Sequence, residues 1–297
     1  MPSTTLTVTQ AACHIPEIWS PDTIDAVEAN TVIAGLVQRK WEKSLKHGDI
    51  LNIGYISNPT ASTKTANTNI SLEVIGPSSA EASETITVNT NQYVAFGVEN
   101  ITEVQASTDL RAKYTGKAGY ALAAAMDTSL AALPASFSQI VGTLGVELTY
   151  DNLLRADRYL NDGIAPGTDR FIVAGPAAKA GLLKLEQLTN RDYVMGDEAG
   201  KAVRDGYIGK ILGASTHITT LVNSPSAGQA ECWYCQKDGV ALIVQDTKTH
   251  GEYVIERDAF VVLSTNLYGY TEVLIPPVTA GGSTATDAFD VLLRTVG

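Results

Sequence analysis

The sequence is short of cysteine, of basic residues and of long apolar runs, and each shortage excludes a class of protein. Three cysteines in 297 residues are too few for a disulfide framework and indicate a protein made and kept in a reducing cytoplasm. The 21 Lys and Arg residues are outnumbered by 32 Asp and Glu residues, and the net charge of −11 argues against tight binding of nucleic acid phosphates. The longest strongly apolar run, 119–126, is too short to span a bilayer, and the first residues show no signal-peptide pattern, so no membrane partner is expected.

Motifs of catalysis and cofactor binding are also lacking. The sequence contains no G-x-S-x-G nucleophile elbow, no P-loop and no G-x-G-x-x-G fingerprint. Cys232 and Cys235 have the C-x-x-C spacing, but zinc would need two more ligands and the four histidines are scattered, so we interpret both as ordinary strand residues. We interpret a run of mixed charges as a solvated face: Arg155, Asp157, Arg158, Asp162, Asp169 and Arg170. We therefore predict no catalytic residue, no metal site, no cofactor and no enzymatic activity.

The dominant element is a predicted helix over 107–133. Its apolar residues recur every four positions and so share one helix face: Leu110, Tyr114, Ala118, Leu122, Met126 and Leu130. Residues 107–109 are candidate N-caps, and Pro134 ends the helix because proline has no amide hydrogen to donate. At 1.5 Å per residue the helix would be about 40 Å long. No second helix of that length is predicted, so its partner must be a sheet or another copy of the protein.

The segments around this helix alternate between strand-like and helical patterns, which indicates an α+β fold. Residues 48–98 predict a two-stranded excursion with a polar tip, which needs a surface to lie on because isolated hairpins are marginal in water. A helical stretch is predicted from Pro21 to Val37, and another over 149–160 with Leu153 and Leu154 facing inward. Further strands are predicted at 171–173, 217–222, 239–245, 253–256 and 260–264.

Several short fragments follow one another in a recognisable order. They are Ile15-Pro16-Glu17-Ile18-Trp19-Ser20, Gly48-Asp49-Ile50, the long helix, Arg170-Phe171-Ile172-Val173 with Pro176, Gly206-x-Ile208-Gly209-x-Ile211-x-Gly213, Val240-Ala241-Leu242 and Leu267-Tyr268-Gly269. Each fragment alone is weak, but their order and spacing extend over nearly the whole chain. In this order the chain resembles the major capsid proteins of tailed bacteriophages, which have the HK97-like fold.

The resemblance implies a division of the chain into five parts. These are an N-terminal arm and helix (1–47), an extended loop (48–98), a peripheral domain with the long spine helix (99–149), an axial domain (150–260), and a return to the peripheral domain with a C-terminal tail (261–297). Some relatives link the loop covalently through a lysine. Lys64 lies near the predicted loop tip, but nothing in the sequence identifies its acceptor, so no cross-link is predicted.

The resemblance also implies a function and a set of partners. The chain would assemble, as hexamers and pentamers, into the icosahedral capsid shell that encloses the double-stranded DNA of a tailed phage. No long charged coiled-coil segment precedes the body of the chain, so any scaffold would be another polypeptide or a piece removed before Met1. We expect a separate scaffolding protein, and a portal protein as a further partner. DNA would lie next to the shell without sequence-specific binding, and the binding of decoration proteins is left open. We expect assembly in the host cytoplasm and a final location in the virion.

Charge patterning suggests how neighbouring subunits hold together. The loop is acidic past its tip, at Glu73, Glu81 and Glu84, whereas the start of the long helix is basic, at Arg111, Lys113 and Lys117. A protruding loop cannot fold back onto its own helix without losing its reach. We therefore expect it to contact the helix of an adjacent subunit, with these six residues as candidate intersubunit contacts.

Two alternative functions stay open at this point. An encapsulin-like shell protein of a bacterial compartment would share the fold and would need a groove for a cargo peptide. A small α+β enzyme acting through 150–260 would require a cluster of titratable groups in a pocket. Closed shells seen by electron microscopy would separate the phage capsid and encapsulin-like functions from the enzyme.

Overall fold

A computed structural model describes residues 31–54, 61–72, 83–105, 110–189, 209–274 and 289–296. Helices in these ranges are Ile33–Leu36 (α1), Asn100–Gln105 (α2), Leu110–Ala131 (α3), Tyr150–Asp162 (α4), Pro176–Leu183 (α5) and Glu186–Thr189 (α6). Strands are Ile50–Gly54 (β1), Ser83–Thr87 (β2), Thr90–Glu99 (β3), Ile140–Gly142 (β4), Arg170–Ala174 (β5), Lys210–Ile211 (β6), Ala214–Ile218 (β7), Ala230–Gln236 (β8), Val240–Val254 (β9), Ala259–Glu272 (β10) and Asp290–Thr295 (β11). Predicted features at 1–30, at 206–208 and beyond Leu274 as far as 288 lie outside the described residues.

The long helix is confirmed as α3, with slightly different ends. Its 22 described residues make a rod of about 33 Å, and it stops at Ala131 rather than 133 because Pro134 lies in a 3₁₀ turn over Leu133–Ser136. The predicted stripe is buried at Ala118, Leu122 and Leu130, whereas Tyr114 is 54% exposed near the start of the helix. The stripe is therefore covered by the rest of the chain mainly in the second half of the helix.

Strands β3, β10 and β9 form an antiparallel sheet on which the first part of α3 lies. The alternation predicted over 85–98 is present, but it belongs to two sheets. Strand β2 pairs with β1, whereas β3 pairs along its whole length with β10. The two-stranded excursion predicted for 48–98 therefore ends at Thr87, because the apolar side of β3 packs against the helix, as in the contact of Phe96 with Tyr114.

A second sheet has six strands in the order β4-β11-β8-β5-β7-β6. It is mixed, since β11 runs parallel to β4 and antiparallel to β8, while β5 runs parallel to β7. Strand β11 was predicted to belong to a return to the peripheral domain and a tail. In the structure this strand lies between β4 and β8, where Val291, Leu292 and Leu293 are fully buried, and its assignment to a domain of the shell stays a prediction.

The six-stranded sheet buries both of its faces. One face packs on α4 and α5 through alternate residues such as Ile172 and Tyr234. The other face carries Phe171 and Trp233, and it packs on the end of α3 and on the turn that contains Phe137, whose ring lies edge-on to Trp233 at 5.9 Å. A sheet covered on both sides requires continuous apolar strands, which explains the buried runs in β5 and β8.

Cys232 and Cys235 are strand residues, as predicted. Both are fully buried in β8, but Cys232 belongs to the cluster under α4 and Cys235 to the cluster under α3. Because the two thiols lie on opposite faces of the sheet, they cannot bind one metal ion together. Burial also raises the pKa of the Cys232 thiol to about 11, so this thiol stays protonated at neutral pH.

Residues 31–45 are attached to the body through a buried carboxylate. Asp127 of α3 is 1% exposed and accepts hydrogen bonds from the amides of Ile33 (3.1 Å) and Ala34 (2.9 Å), so it caps α1 from outside. Gln38 then extends the attachment, since its backbone amide donates to the backbone carbonyl of Val240 at 3.0 Å.

The run of mixed charges predicted as a solvated face is not uniformly solvated. Arg170 is 6% exposed and donates to Asp157 (2.8 Å), to Asn161 (2.8 Å) and to the carbonyls of Ala165 (2.7 Å) and Pro166 (2.9 Å). Its guanidinium can be buried because four of its five N–H donors find acceptors around the end of α4.

Asp157 has a second buried partner. It also accepts from the Tyr234 hydroxyl at 2.8 Å, and burial together with this bond raises the pKa of Tyr234. Arg158 and Asp162 do form an exposed pair, as expected. Leu154 was predicted to face inward but is 43% exposed, whereas Leu153 is buried.

The Arg170 network yields a prediction about stability. Arg170→Met should lower the free energy of unfolding by about 3–5 kcal/mol, because it leaves the Asp157 carboxylate partly buried without its cation. Arg158→Met removes an exposed i,i+4 pair and is the matched control, with an expected loss of less than about 0.5 kcal/mol. Urea unfolding of the unassembled subunit measures both. Equal losses would contradict the structural role of Arg170.

The Asp127 cap yields a second prediction. Asp127→Ala leaves one buried and one part-buried amide without this acceptor and should cost about 1–3 kcal/mol, whereas Asp127→Asn retains one carbonyl oxygen and should cost less. Limited proteolysis near residues 31–37 should accelerate in the same order. Asp151→Ala, in the first turn of α4, changes an exposed carboxylate and is the control. Proteolysis at the wild-type rate in Asp127→Ala would show that the cap does not hold this segment.

Candidate assembly interface

The structure places only part of the acidic half of the predicted contact. Glu73 and Glu81 lie outside the described residues. Glu84 lies in β2 opposite Ile53, and its side chain is likewise outside the described part. The loop that was predicted to carry the acidic contact therefore starts from a defined two-stranded root.

The basic half of the predicted contact lies on the first turns of α3. Arg111 is half-buried, and its guanidinium carbon lies 4.8 Å from the centre of the Phe260 ring, so β10 holds it in place. Lys113 is exposed and Lys117 is half-buried. Tyr114 lies between them and packs on Phe96. The start of α3 thus presents cations together with an exposed aromatic ring, and their pairing with acidic residues of another subunit stays a prediction.

The loop is firmly attached at its root. Ile86 and Val88 are buried in a cluster with Leu45 and Ile243, and the Val88 amide donates to the Asp49 carbonyl at 2.8 Å. Strand β10 passes so close that a Cβ atom on Gly269 would lie 2.3 Å from the Thr87 carbonyl oxygen. Only glycine allows this approach, which fixes the position from which the loop leaves the body.

Residues 61–72 of the loop have no cover from the rest of the described chain. Every residue in this stretch is exposed, including Ile70 at 71% and Leu72 at 88%. Lys64 is exposed too, and it stays without an identified cross-link acceptor. Apolar side chains two positions apart share one side of an extended segment, so Ile70 and Leu72 form a ready contact for another surface.

Sequence reasoning missed a second exposed apolar region, at the far end of the three-stranded sheet. Ile101 of α2 is 62% exposed, and Ile255, in the turn between β9 and β10, is 84% exposed. The Asn100 amide donates to the Asp258 carbonyl at 3.0 Å, which joins the two segments. The stretch 253–256 was predicted as strand, whereas a strand ends at Val254 and Ile255 begins a 3₁₀ turn. The sequence signal that could have revealed this exposed apolar region is an isoleucine in a turn.

The described part of the chain has open surface cavities. One, of about 490 Å³, lies on the β3–β10 sheet between small residues such as Ala95 and Gly97, with Glu99 and Arg257 at its rim. Among the described residues, no group of three or more His, Cys, Asp or Glu side chains could hold a metal ion. No helix in this part of the chain is long and apolar enough to cross a membrane.

Comparison with known proteins identifies the family and the fold. The sequence profile of the phage capsid protein family matches residues 55–269, which is well over half of the chain. Among solved structures, a chain from Mycobacterium phage Che8 has a TM-score of 0.78 at 20% identity and covers 94% of this chain and 96% of its own length. The capsid structure of cyanophage P-SCSP1u has a TM-score of 0.76 at 15% identity, with coverages of 99% and 98%.

A third solved structure shares the architecture. The mature capsid of bacteriophage PhiM1 has a TM-score of 0.68 at 13% identity, with coverages of 95% and 92%. The curated proteins include no significant match. The structural likeness confirms the predicted HK97-like α+β fold, including its long spine helix. The profile match carries the assignment of the family: the chain belongs to the phage capsid protein family and is a structural protein of a phage capsid shell.

Proposed function

We propose that this protein forms the icosahedral shell around the double-stranded DNA of a tailed phage, as hexamers and pentamers of identical chains. The observation that carries the proposal is the loop of residues 61–72. It is fixed at its root yet exposes Ile70 and Leu72, and its own chain offers no described surface to cover them. Apolar side chains on a fixed support gain free energy when a neighbouring copy covers them, which is a driving force for assembly.

We further propose which parts of the subunit take which places in the shell. The three-stranded sheet with the start of α3 would form the peripheral domain. The six-stranded sheet, with β4 and β11 included, would form the axial domain around which a capsomer closes. This division differs from the sequence-based boundaries at both ends, because 140–142 and 290–295 now join the axial part.

The proposed contact between subunits places the loop of one copy on the start of α3 in the next. Arg111, held by Phe260, together with Lys113 and Lys117 would face the acidic residues Glu73, Glu81 and Glu84. Each exposed pair contributes only about 0–1 kcal/mol, but a closed shell repeats the contact in every subunit. The exposed ring of Tyr114 would supply apolar area beside these charges.

Further partners follow from the same role. We propose a scaffolding protein and a portal protein as separate partners during assembly in the host cytoplasm, with the virion as the final location. An acidic wall repels packaged DNA and so permits its entry and exit without sequence-specific binding. Each of these roles is structural, and we propose no catalytic step for the chain.

Deleting the loop tests the proposed function. We expect a chain in which a short Gly/Ser bridge replaces 61–84 to stay folded and soluble but to form no shells, because the covering contact is gone. Circular dichroism reports the fold, and sedimentation with electron microscopy reports particles. Replacing both Ile70 and Leu72 with serine keeps the loop length and should weaken assembly less than the deletion. Closed particles from the deleted chain would contradict the role of the loop as an intersubunit clamp.

Charge reversal tests the basic half of the contact. Arg111→Glu combined with Lys113→Glu should reduce shell yield at low salt, and added salt should restore part of the yield because it screens the new repulsion. Lys210→Glu combined with Lys237→Glu reverses two exposed charges away from α3 and serves as the control. If both double variants lose the same yield, net charge rather than this contact is responsible.

A further inference from the structure

The end of α4 has an unusual residue in a familiar motif. The Ala165 amide donates to the Leu160 carbonyl at 2.9 Å and the Ile164 amide to the Asn161 carbonyl at 3.0 Å, which is the Schellman pattern of a helix C-terminus. The motif requires a left-handed backbone at the residue after the cap, and this residue is Ile164, with φ of 57°.

Glycine is adjacent but does not take the left-handed position. Gly163, the cap residue, has φ of −76°, a conformation open to any residue, so the helix ends one residue later than its glycine would favour. A β-branched side chain in the left-handed region is a genuine outlier, because its Cβ crowds the backbone. Such strain persists only where the surroundings enforce it, and it concentrates at functional positions.

The surroundings do enforce it here. Arg170 donates to the carbonyls of Ala165 and Pro166, immediately after the strained residue. Ala165 itself is buried with Leu160 beneath α4. The backbone on both sides of Ile164 is therefore fixed, while the Ile164 side chain is 62% exposed. The strained backbone therefore carries an apolar side chain that is exposed to solvent.

Other exposed apolar side chains lie toward the opposite end of α4, a helix about 20 Å long. Within the described part of the six-stranded unit, the other large apolar side chains that are clearly exposed all lie near the start of α4. They are Ile140 (41%), Val146 (55%) and Leu154 (43%). A ring of identical subunits needs two different patches on each copy, because head-to-tail contacts join one surface to another.

We infer that Ile164 is an assembly anchor that packs, within a ring of subunits, on the patch of Val146 and Leu154 of a second copy of this chain. The inference rests on the proposed function and assigns to it a contact separate from the loop and from α3. The Arg170 network acts as a positioning device, since it holds the anchor in place without touching the second copy. Every free subunit exposes the Ile164 side chain to water, and this unfavourable exposure ends when the second copy covers the side chain.

Ile164→Gly tests the inference because folding and assembly should change in opposite directions. Glycine relieves the left-handed strain, so the melting temperature of the unassembled subunit should rise by about 2–4 °C. The protein concentration needed for shell assembly, measured by sedimentation, should rise at least tenfold. Asp169→Gly is the matched control: Asp169 has φ of 56° in the same loop and is exposed, but it is not apolar. It should stabilise the subunit and leave assembly unchanged.

A charge pair tests the acceptor patch. Ile164→Glu and Leu154→Lys should each suppress shells, and the double variant should recover shells because the two new charges attract across the contact. Normal assembly of Ile164→Gly, or no recovery in the double variant, would overturn the inference. Wild-type shells in the same experiment separate this failure from failure of the proposed function, which would show as an absence of shells from the wild-type chain.

Discussion

The length of α3 is the constraint on which the rest of the subunit depends. A helix of about 33 Å reaches from the three-stranded sheet to the core of the six-stranded one, and its later turns contact both. The first turns rest on β3 and β10, while Leu130 and Ala131 enter the cluster around Trp233. The helix therefore couples the two units, and Asp127 attaches the segment of α1 near this junction. The helix and the direct packing of Leu242 and Tyr268 in the cluster around Trp233 together set the position of each sheet relative to the other.

The surface follows a different rule from the interior. Inside, apolar side chains are covered on both faces of the six-stranded sheet, and the buried guanidinium of Arg170 donates four hydrogen bonds. Outside, Leu72, Ile255 and Ile164 are left uncovered on backbone that is held at its root. A protein that acts as a monomer would bury these apolar side chains or carry polar residues at these positions. Their exposure is consistent with a protein whose remaining apolar burial takes place between copies.

The sequence predicts the helices and strands whose residue pattern is local. It does not predict features that depend on which element packs against them. The four-residue period of α3 and the apolar run of β5 can be read directly, because periodicity and burial coincide there. The alternation in β3 gives a strand but not its neighbour, so its pairing with β10 could not be predicted. Strand β11 is a short apolar run after a polar tail, which resembles many unpaired segments. Arg170 was misread because a charge next to other charges is usually solvated.

The position of β11 between β4 and β8 has a consequence for how the subunit folds. Strand β4 leaves the ribosome about 150 residues before its neighbour β11, and β8 follows roughly midway, so both wait with an unpaired edge. The sheet around Trp233 closes only when residues 290–295 insert between them. Folding of this unit is governed by a contact between distant parts of the chain, which makes it slow compared with the formation of α3. A chain that lacks β11 keeps open strand edges on β4 and β8 and offers a growing shell no finished unit to join.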